Sequence, residues 1–467
     1  MHIGARVTAA AALALVGAAA PAGAAVTYLG RAAIDGTGTD ASGLTAPLED
    51  GSRANALDGF GSGIAYTGYG NRYVLLADRG PNKLGYPGSF NVDDTVSYNS
   101  RFQIFDLNLA PSGGGYNVTP GFVGTTLLRN ESGQSFVGLS SAFTGVDPTV
   151  NLRLDPESIR VAPDGTVYVS DEYGPNVYHF DSAGRRIGAL AVPEKFKVAN
   201  LNAVGSFELG SNTSGRVPGK GMEGLAITPD GGHLLAAMQG PLLQDGGDNT
   251  RYTRMVLFDT AHPNAAPKEF LYKLNTDPAK PGQNASKDSV CDVVAINDHE
   301  FLVDERDGAS NQVKHAYKID ISGAQDISGI ASLSALSQTQ LDAIVSVTKS
   351  ATPLVDIGAL TAGLLNSVPP GYRGGLPDKV EGFAFGPDLP DGRKLLLVTN
   401  DDDFGPSSFI PGFPNYVMAF AIDGADLAGF QPEQFTAPDT FAPEPGALPL
   451  LAAAMAMMSR RAWRVWN

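Results

Sequence analysis

The sequence predicts an all-β chain, a β-propeller of about six blades of four antiparallel strands with one short helical insertion, and three observations carry that expectation. The 467 residues include 56 glycines and 32 prolines, so the chain must turn often and a helical bundle is excluded. Apolar residues alternate with period two around turns built from Pro, Asp, Asn and Gly, the pattern of hairpins rather than of helices. One arrangement of strand, turn, strand and acid recurs along the chain. Its units cannot bury both faces alone, and their spacing exceeds the ~8–12 residues per strand of a β-sandwich, the competing all-β architecture.

The units follow in chain order. The first is a weak copy, G-F-G-S-G-I-A-Y at 59–66 followed by Y-V-L-L-A-D-R at 73–79. The clearest is D-P-E-S-I-R-V-A-P-D-G-T-V-Y-V-S-D-E at 155–172, two alternating runs around a Pro-Asp-Gly turn. A third, E-G-L-A-I-T-P-D-G-G-H-L-L-A-A-M, occupies 223–238, and a fourth, D-V-V-A-I-N-D-H-E-F-L-V-D-E-R, occupies 292–306. The last joins E-G-F-A-F-G-P-D at 381–388 to K-L-L-L-V-T-N-D-D at 394–402. A third strand of one type, apolar and ending in Asp, follows at 102–106, 177–181, 255–259, 316–320 and 417–423. Glu157 and Glu223 lie 66 residues apart, and at that spacing residues 26–436 hold about six blades. Val26 begins a strand expected to close the ring with the last blade. Residues 322–365 break the pattern with apolar spacings of three and four, which predict a helical excursion on one rim.

In a propeller the first strand of each blade lines the axis, so an acid repeated at one point of every unit becomes a ring around one channel. Glu157, Glu223 and Glu381 hold the first-strand position; Asp171-Glu172, Asp304-Glu305 with Asp307, and Asp401-Asp402 end the second strand and are expected near the same rim. Crowding carboxylates out of water costs several kcal/mol unless a cation offsets them. Hard divalent ions, above all Ca2+ with its six to eight oxygen ligands, answer that need. Glu157, Asp171, Glu172, Glu223, Glu305, Glu381 and Asp401 are therefore the candidate metal ligands. Arg79, Lys220, Arg306 and Lys379 stand beside the acids and are the candidates for orienting an anionic ester, with Glu223 as the catalytic carboxylate. Aspartates of the Pro-Asp-Gly turns, Asp164 and Asp230, are turn residues and are excluded.

Composition removes other chemistries. The formal charge of −16, from 33 basic and 49 acidic side chains, repels nucleic acid and gives an anionic substrate no long-range steering. Cys291 is the single cysteine, which excludes an internal disulfide, a tetracysteine zinc site and an iron–sulfur cluster. The six histidines are scattered without an H-E-x-x-H motif. No G-x-S-x-G elbow occurs, and G-R-V-P-G-K-G at 215–221 is one residue short of a phosphate loop.

Both ends fall outside the repeat. Residues 1–25 carry Arg6, an apolar run over 7–20, then Pro21, Gly23 and small residues fit for cleavage near Ala24 or Ala25, the order of a secretory signal peptide. Residues 437–467 contain Pro443-Glu444-Pro445, an apolar stretch over 446–458 and Arg460, Arg461 and Arg464. That order resembles the PEP-CTERM sorting signal of exosortase substrates, although the apolar stretch is shorter than the ~20 residues of a membrane span and contains Pro449. Expected partners are signal peptidase and an exosortase-type processing enzyme, with a transient membrane anchor, no nucleic acid, and a monomeric, secreted or envelope-associated bacterial product.

The runs D-P-E-S-I at 155–159, P-D-G-T-V-Y-V-S-D-E-Y-G-P at 163–175, G-M-E-G-L-A-I-T-P-D-G at 221–231, E-R-D-G at 305–308, V-E-G-F-A-F at 380–385 and V-T-N-D-D-D-F at 398–404 together resemble the phytase-like family described as having esterase-like activity. The resemblance implies a propeller at 26–436 and hydrolysis of phosphate or related esters; Glu157, Asp171, Glu172, Glu223, Glu305, Glu381, Asn400 and Asp401 fall on its motifs, which adds Asn400 to the candidate metal ligands. The expectation is a secreted, Ca2+-assisted phosphoric-ester hydrolase. Two alternatives stand beside it: a non-catalytic Ca2+-stabilised binding propeller of the envelope or matrix, and a sugar-lactone or carboxyl-ester hydrolase.

Overall fold

Five four-stranded antiparallel sheets, not six, form the ring in a computed structural model that describes residues 26–34, 36–81, 95–142, 151–277, 285–404 and 412–441. The signal peptide reading at 1–25 and the sorting-signal reading at 443–464 lie outside the described residues. Strand β1 (Val26–Ile34) belongs to the last blade. Blade I comprises β2 (Phe60–Tyr66), β3 (Arg72–Ala77), β4 (Arg101–Ser112) and β5 (Gly115–Leu127). Blade II comprises β6 (Pro156–Val161), β7 (Val167–Asp171), β8 (Asn176–Phe180) and β9 (Arg186–Ala189); blade III comprises β10 (Met222–Ile227), β11 (His233–Met238), β12 (Tyr252–Asp259) and β13 (Lys268–Lys273). Blade IV has β14 (Ser289–Ala295), β15 (Glu300–Arg306) and β16 (Lys314–Asp320), with the short β17 (Thr348–Lys349) and β18 (Val355–Asp356) sharing its outer position. Blade V has β19 (Val380–Phe385), β20 (Lys394–Asn400) and β21 (Asn415–Ile422), completed by β1, which pairs antiparallel with β21 from Val26↔Ile422 to Ile34↔Asn415.

The expected sixth blade fails for a simple reason. The interval from Glu157 to Glu223 is the shortest between corresponding points of successive blades, because long excursions such as the 12- and 13-residue strands β4 and β5 fill the others. Dividing the chain by that interval therefore counts one blade too many.

Each of the five blade interfaces has its own apolar cluster. Ile64, Leu75 and Phe105 of blade I meet Leu397 and Val417 of blade V on one side, while Val74 and Leu76 meet Ile159 and Val169 of blade II on the other. Leu225 and Leu234 pack on blade II side chains, Leu235 and Tyr272 on Val293 and Phe301, and Leu302 on Phe383 and Val398. A fully buried leucine of this kind is worth about 1.5–3 kcal/mol, so both faces of every inner strand contribute. The 322–365 excursion contains the predicted short helices, α2 (Gln338–Ala343) and α3 (Ile357–Thr361), following α1 (Gly205–Ser211) earlier in the chain. Ile327, Leu333, Leu341 and Ile344 pack on Leu271 of the outer strand of blade III, which places this part of the insertion on the outside of the ring rather than over the axis.

After β21 the chain crosses the face formed by the hairpin turns. Gln431 N donates to Ile296 O (2.8 Å), Gln434 N to Pro229 O (2.8 Å) and Thr436 N to Pro163 O (2.8 Å), and Asp439 pairs with Arg72 at 2.7 Å. This strap covers one end of the axis, leaving the opposite end for the acids.

Candidate active site at the axial rim

Every first strand carries a β-bulge at the same place. Register against the second strand shifts between Phe60 and Gly63, Pro156 and Ile159, Met222 and Gly224, Val290 and Val293, and Val380 and Gly382. A bulge re-aims a side chain that would otherwise follow the pleat. The first bulged residues are Gly61, Glu157, Glu223, Cys291 and Glu381, one from each blade. At Gly61 (φ +140°) a Cβ would stand 2.1 Å from Asn400 O, so that position holds no side chain. A second tier comes from the residue just after each partner of the pre-bulge position: Asp78, Glu172, Gln239, Arg306 and Asp401. Asp155 and Lys379, two residues before Glu157 and Glu381, add a third.

The tiers form one cluster. Ligand atoms of Asp78, Asp155 and Glu157 lie within 4.8 Å of one another, as do those of Glu157, Glu172 and Glu223, of Glu223, Cys291 and Glu381, and of Asp78, Asp401 and Asp403. Three cations are interleaved. Arg79 Nη1 is 2.9 Å from Asp155 and 3.9 Å from Glu172, Arg306 Nη2 is 2.6 Å from Glu381, and Lys379 Nζ is 2.7 Å from Asp401 and 2.6 Å from Asp403. Eight carboxylates therefore face three basic groups. The residues present fit a hard divalent cation, because the donors are carboxylate oxygens and two of these, Asp155 Oδ1 and Glu223 Oε2, are buried without a hydrogen-bond partner.

Burial pushes these acids upward, and neighbouring carboxylates add to it. Asp78 rises to about 6 and Asp155, Glu381 and Asp401 to about 7, while Glu157 and Glu223 rise well above the ordinary range. The unfolded carboxyls titrate near 4, so between about pH 4 and 7 the folded metal-free chain holds more protons than the unfolded one. Stability from this cluster is thus complete below pH 4 and declines as pH rises through 6 and 7. The expected result is a chelated protein whose melting temperature falls from pH 5 to pH 8, with Ca2+ removing most of that fall. Differential scanning calorimetry across that range checks it, and a pH-independent melt would refute it. Calcium at a hundredfold excess over its Kd should add about 2.7 kcal/mol.

Of the candidate site residues, Glu157, Glu172, Glu223, Glu381, Asp401, Arg79, Arg306 and Lys379 are brought together at the rim. Four are not. Asp171 is wholly buried and accepts from Tyr173 N (3.1 Å), Gly174 N (3.0 Å) and Asn176 Nδ2 (3.1 Å), which makes it the cap of the turn after β7. Glu305 faces the opposite side of β15, where Tyr272, Lys349 and Asn275 hold it. Asn400 accepts from Tyr416 N at 2.8 Å and donates to Pro414 O. All three stand one residue before the second tier, and in a strand one residue means the other face. The Lys220 side chain pairs with the exposed Asp248 (2.6 Å) instead of a rim carboxylate. Asp78, Asp155, Asp403 and Cys291 join the cluster although the repeat does not single them out. A signal for Cys291 does exist in the sequence: an apolar residue precedes it as Met222 precedes Glu223, whereas the hairpin pattern aligns the neighbouring Asp292 with the glutamates.

A family model described as Phytase-like, esterase-like activity of phytase, matches residues 55–404, from just before the first blade to the end of the rim residues. The chain belongs to this family. A phytase-like chain of this kind also resembles an uncharacterized secreted protein of the fungus Arthroderma benhamiae, 28% identical over 305 residues, a match that spans 53% of this chain and 56% of the relative. Among solved structures, a gluconolactonase from Xanthomonas campestris covers 87% of this chain and 99% of its own at 12% identity and a TM-score of 0.31. The β-xylosidase RS223 covers 82% and 97% at 12% identity and 0.37, and Trypanosoma rangeli sialidase 80% and 46% at 10% and 0.33. At these TM-scores the likenesses carry no argument about chemistry. The family supports a hydrolase on a propeller. No helix of the described residues is long and apolar enough to cross a membrane.

Proposed function

We propose that this phytase-like propeller is a Ca2+-assisted hydrolase of phosphate esters, acting at the axial rim. One observation carries the reading: eight carboxylates converge on three basic side chains at the end of the axis opposite the strap, an excess of negative charge that a bound cation would balance. Glu157, Glu172 and Glu223 would hold the ion, with Asp78 and Asp155 beside them. When bound, Ca2+ would polarise the ester and make its water more acidic. The chain's own groups do the rest. Gln239 Nε2 donates to Glu223 Oε1 at 2.7 Å, which fixes that carboxylate beside the ion, where it would take a proton from the attacking water. Lys379, the most exposed of the three rim cations at 24%, is the one placed to meet a phosphate oxygen. Arg79 and Arg306 hold Asp155 and Glu381 in place.

Two further readings each rest on an observation. All three rim cations are already paired with acids, which favours an uncharged substrate such as a sugar lactone or carboxyl ester. Cavities of about 360, 460 and 530 Å3 lie away from the rim carboxylates, which favours a bound ion that only stabilises the fold. Metal-stripped full-length protein should release phosphate from ester substrates only after Ca2+ is restored. Lactone turnover without phosphate release would move the assignment to the second reading, and a Ca2+-raised melt with no turnover on either class would move it to the third.

A further inference from the structure

Cys291 stands in the ring position that glutamate fills in blades II, III and V, and its thiol lies within 4.8 Å of carboxylate oxygens of Glu223 and Glu381. It is 1% exposed, and nothing in the calcium reading uses it, since a hard ion gains little from sulfur. Two orphaned acids point to a ligand here. Glu223 is 2% exposed and its Oε2 has no hydrogen-bond partner. Asp304, on β15 opposite the Cys291 bulge, is fully buried with neither carboxylate oxygen bonded. Arg306 bonds Glu381 Oε1, leaving that carboxylate a second oxygen to offer.

We propose that the rim also holds a site for a thiophilic divalent cation such as Zn2+, ligated by Cys291, Glu223 and Glu381. Thiolate and carboxylate together suit borderline-soft ions, and the inward-facing bulges of three successive blades bring the three side chains together. Burial pushes the Cys291 thiol up, Arg306 beside it pulls the other way, and a bound cation supplies the remaining positive charge that a thiolate needs. Glu223 belongs to both this site and the oxygen-only group beside it. Such a site does not require that the rim hydrolyse anything.

Cobalt is the probe. Anaerobic titration of metal-stripped full-length protein with Co2+ at pH 8 should produce a thiolate-to-cobalt charge-transfer band saturating at one equivalent. Because the chain has one cysteine, any such band belongs to Cys291. Zn2+ should abolish the band and Ca2+ should not. Cys291→Ser, checked for folding by circular dichroism, should lose the band and one equivalent of Co2+, and Glu381→Gln should weaken cobalt binding about tenfold. Cobalt bound with only the weak bands of oxygen coordination, or not bound at all, would overturn the proposal. Either result is read from the wild-type spectrum alone, so it holds even where a variant fails to fold, and because no turnover is measured it stands apart from the fate of the hydrolase assignment.

Discussion

Glu223→Gln is expected to abolish ester hydrolysis, by ~100-fold or more in kcat/KM, while raising the melting temperature of the metal-free protein at pH 8. The two effects have opposite signs for one reason. The amide cannot take a proton from water, and a positioned general base is worth about 10²–10⁴ in rate. The same change removes an ionisable group from a cluster in which burial, and then Glu172 and Glu381, push the Glu223 carboxyl upward. Its loss relieves repulsion that the metal-free fold otherwise carries. Calcium should stabilise the variant less than the wild type, since one ligand is gone. Steady-state assays beside calorimetry separate the cases: unchanged kcat/KM would remove Glu223 from the chemistry, and a lowered metal-free melt would show that its carboxylate is a net structural asset.

Arg160→Met is expected to cost about 3–5 kcal/mol of folding stability. Arg160 lies on β6 and is 1% exposed, yet it reaches across the axis. Its Nη2 bonds Asp292 (2.7 Å) and Val293 O (2.7 Å) of blade IV, and its Nη1 bonds Ile64 O (2.7 Å) of blade I. Asp292 in turn accepts from Ser158 Oγ (2.8 Å) of blade II and Phe383 N (2.8 Å) of blade V. One ion pair thus ties four blades together at the centre of the ring. Removing the cation alone leaves a buried carboxylate without its charge partner, whereas Arg160→Met with Asp292→Leu removes both charges and should recover a large part of the loss. Urea denaturation of the two variants decides the matter; equal destabilisation would mean that the backbone hydrogen bonds of Arg160, rather than the ion pair, hold the ring.

The hairpins were legible because their cause is local. Alternation around a Pro-Asp-Gly turn reads as two paired strands whatever surrounds it, and the runs at 155–172 and 223–238 became β6–β7 and β10–β11. The strand beginning at Val26 closed the last blade as expected. Glu157, Glu223 and Glu381 could be selected as axial because they recur at one point of the repeat, and recurrence survives without knowledge of the fold.

What the residues could not carry is anything that depends on a count of one. A β-bulge shifts the first strand against its partner and re-aims its side chains, while along the second strand neighbouring residues face opposite sides, so Asp171, Glu305 and Asn400 lost the rim while Asp78, Glu172, Arg306 and Asp401 took it. The same shift put Cys291 into the ring and sent Asp292 to Arg160. Closure is decided in the same way. Whether the ring holds five blades or six depends on how neighbouring first strands pack around the axis, a sum over contacts between residues far apart in the chain, and no local pattern contains it. The sequence alone determined that blades would form and that acids would line them; the packing of five blades decided which side chains meet at the centre.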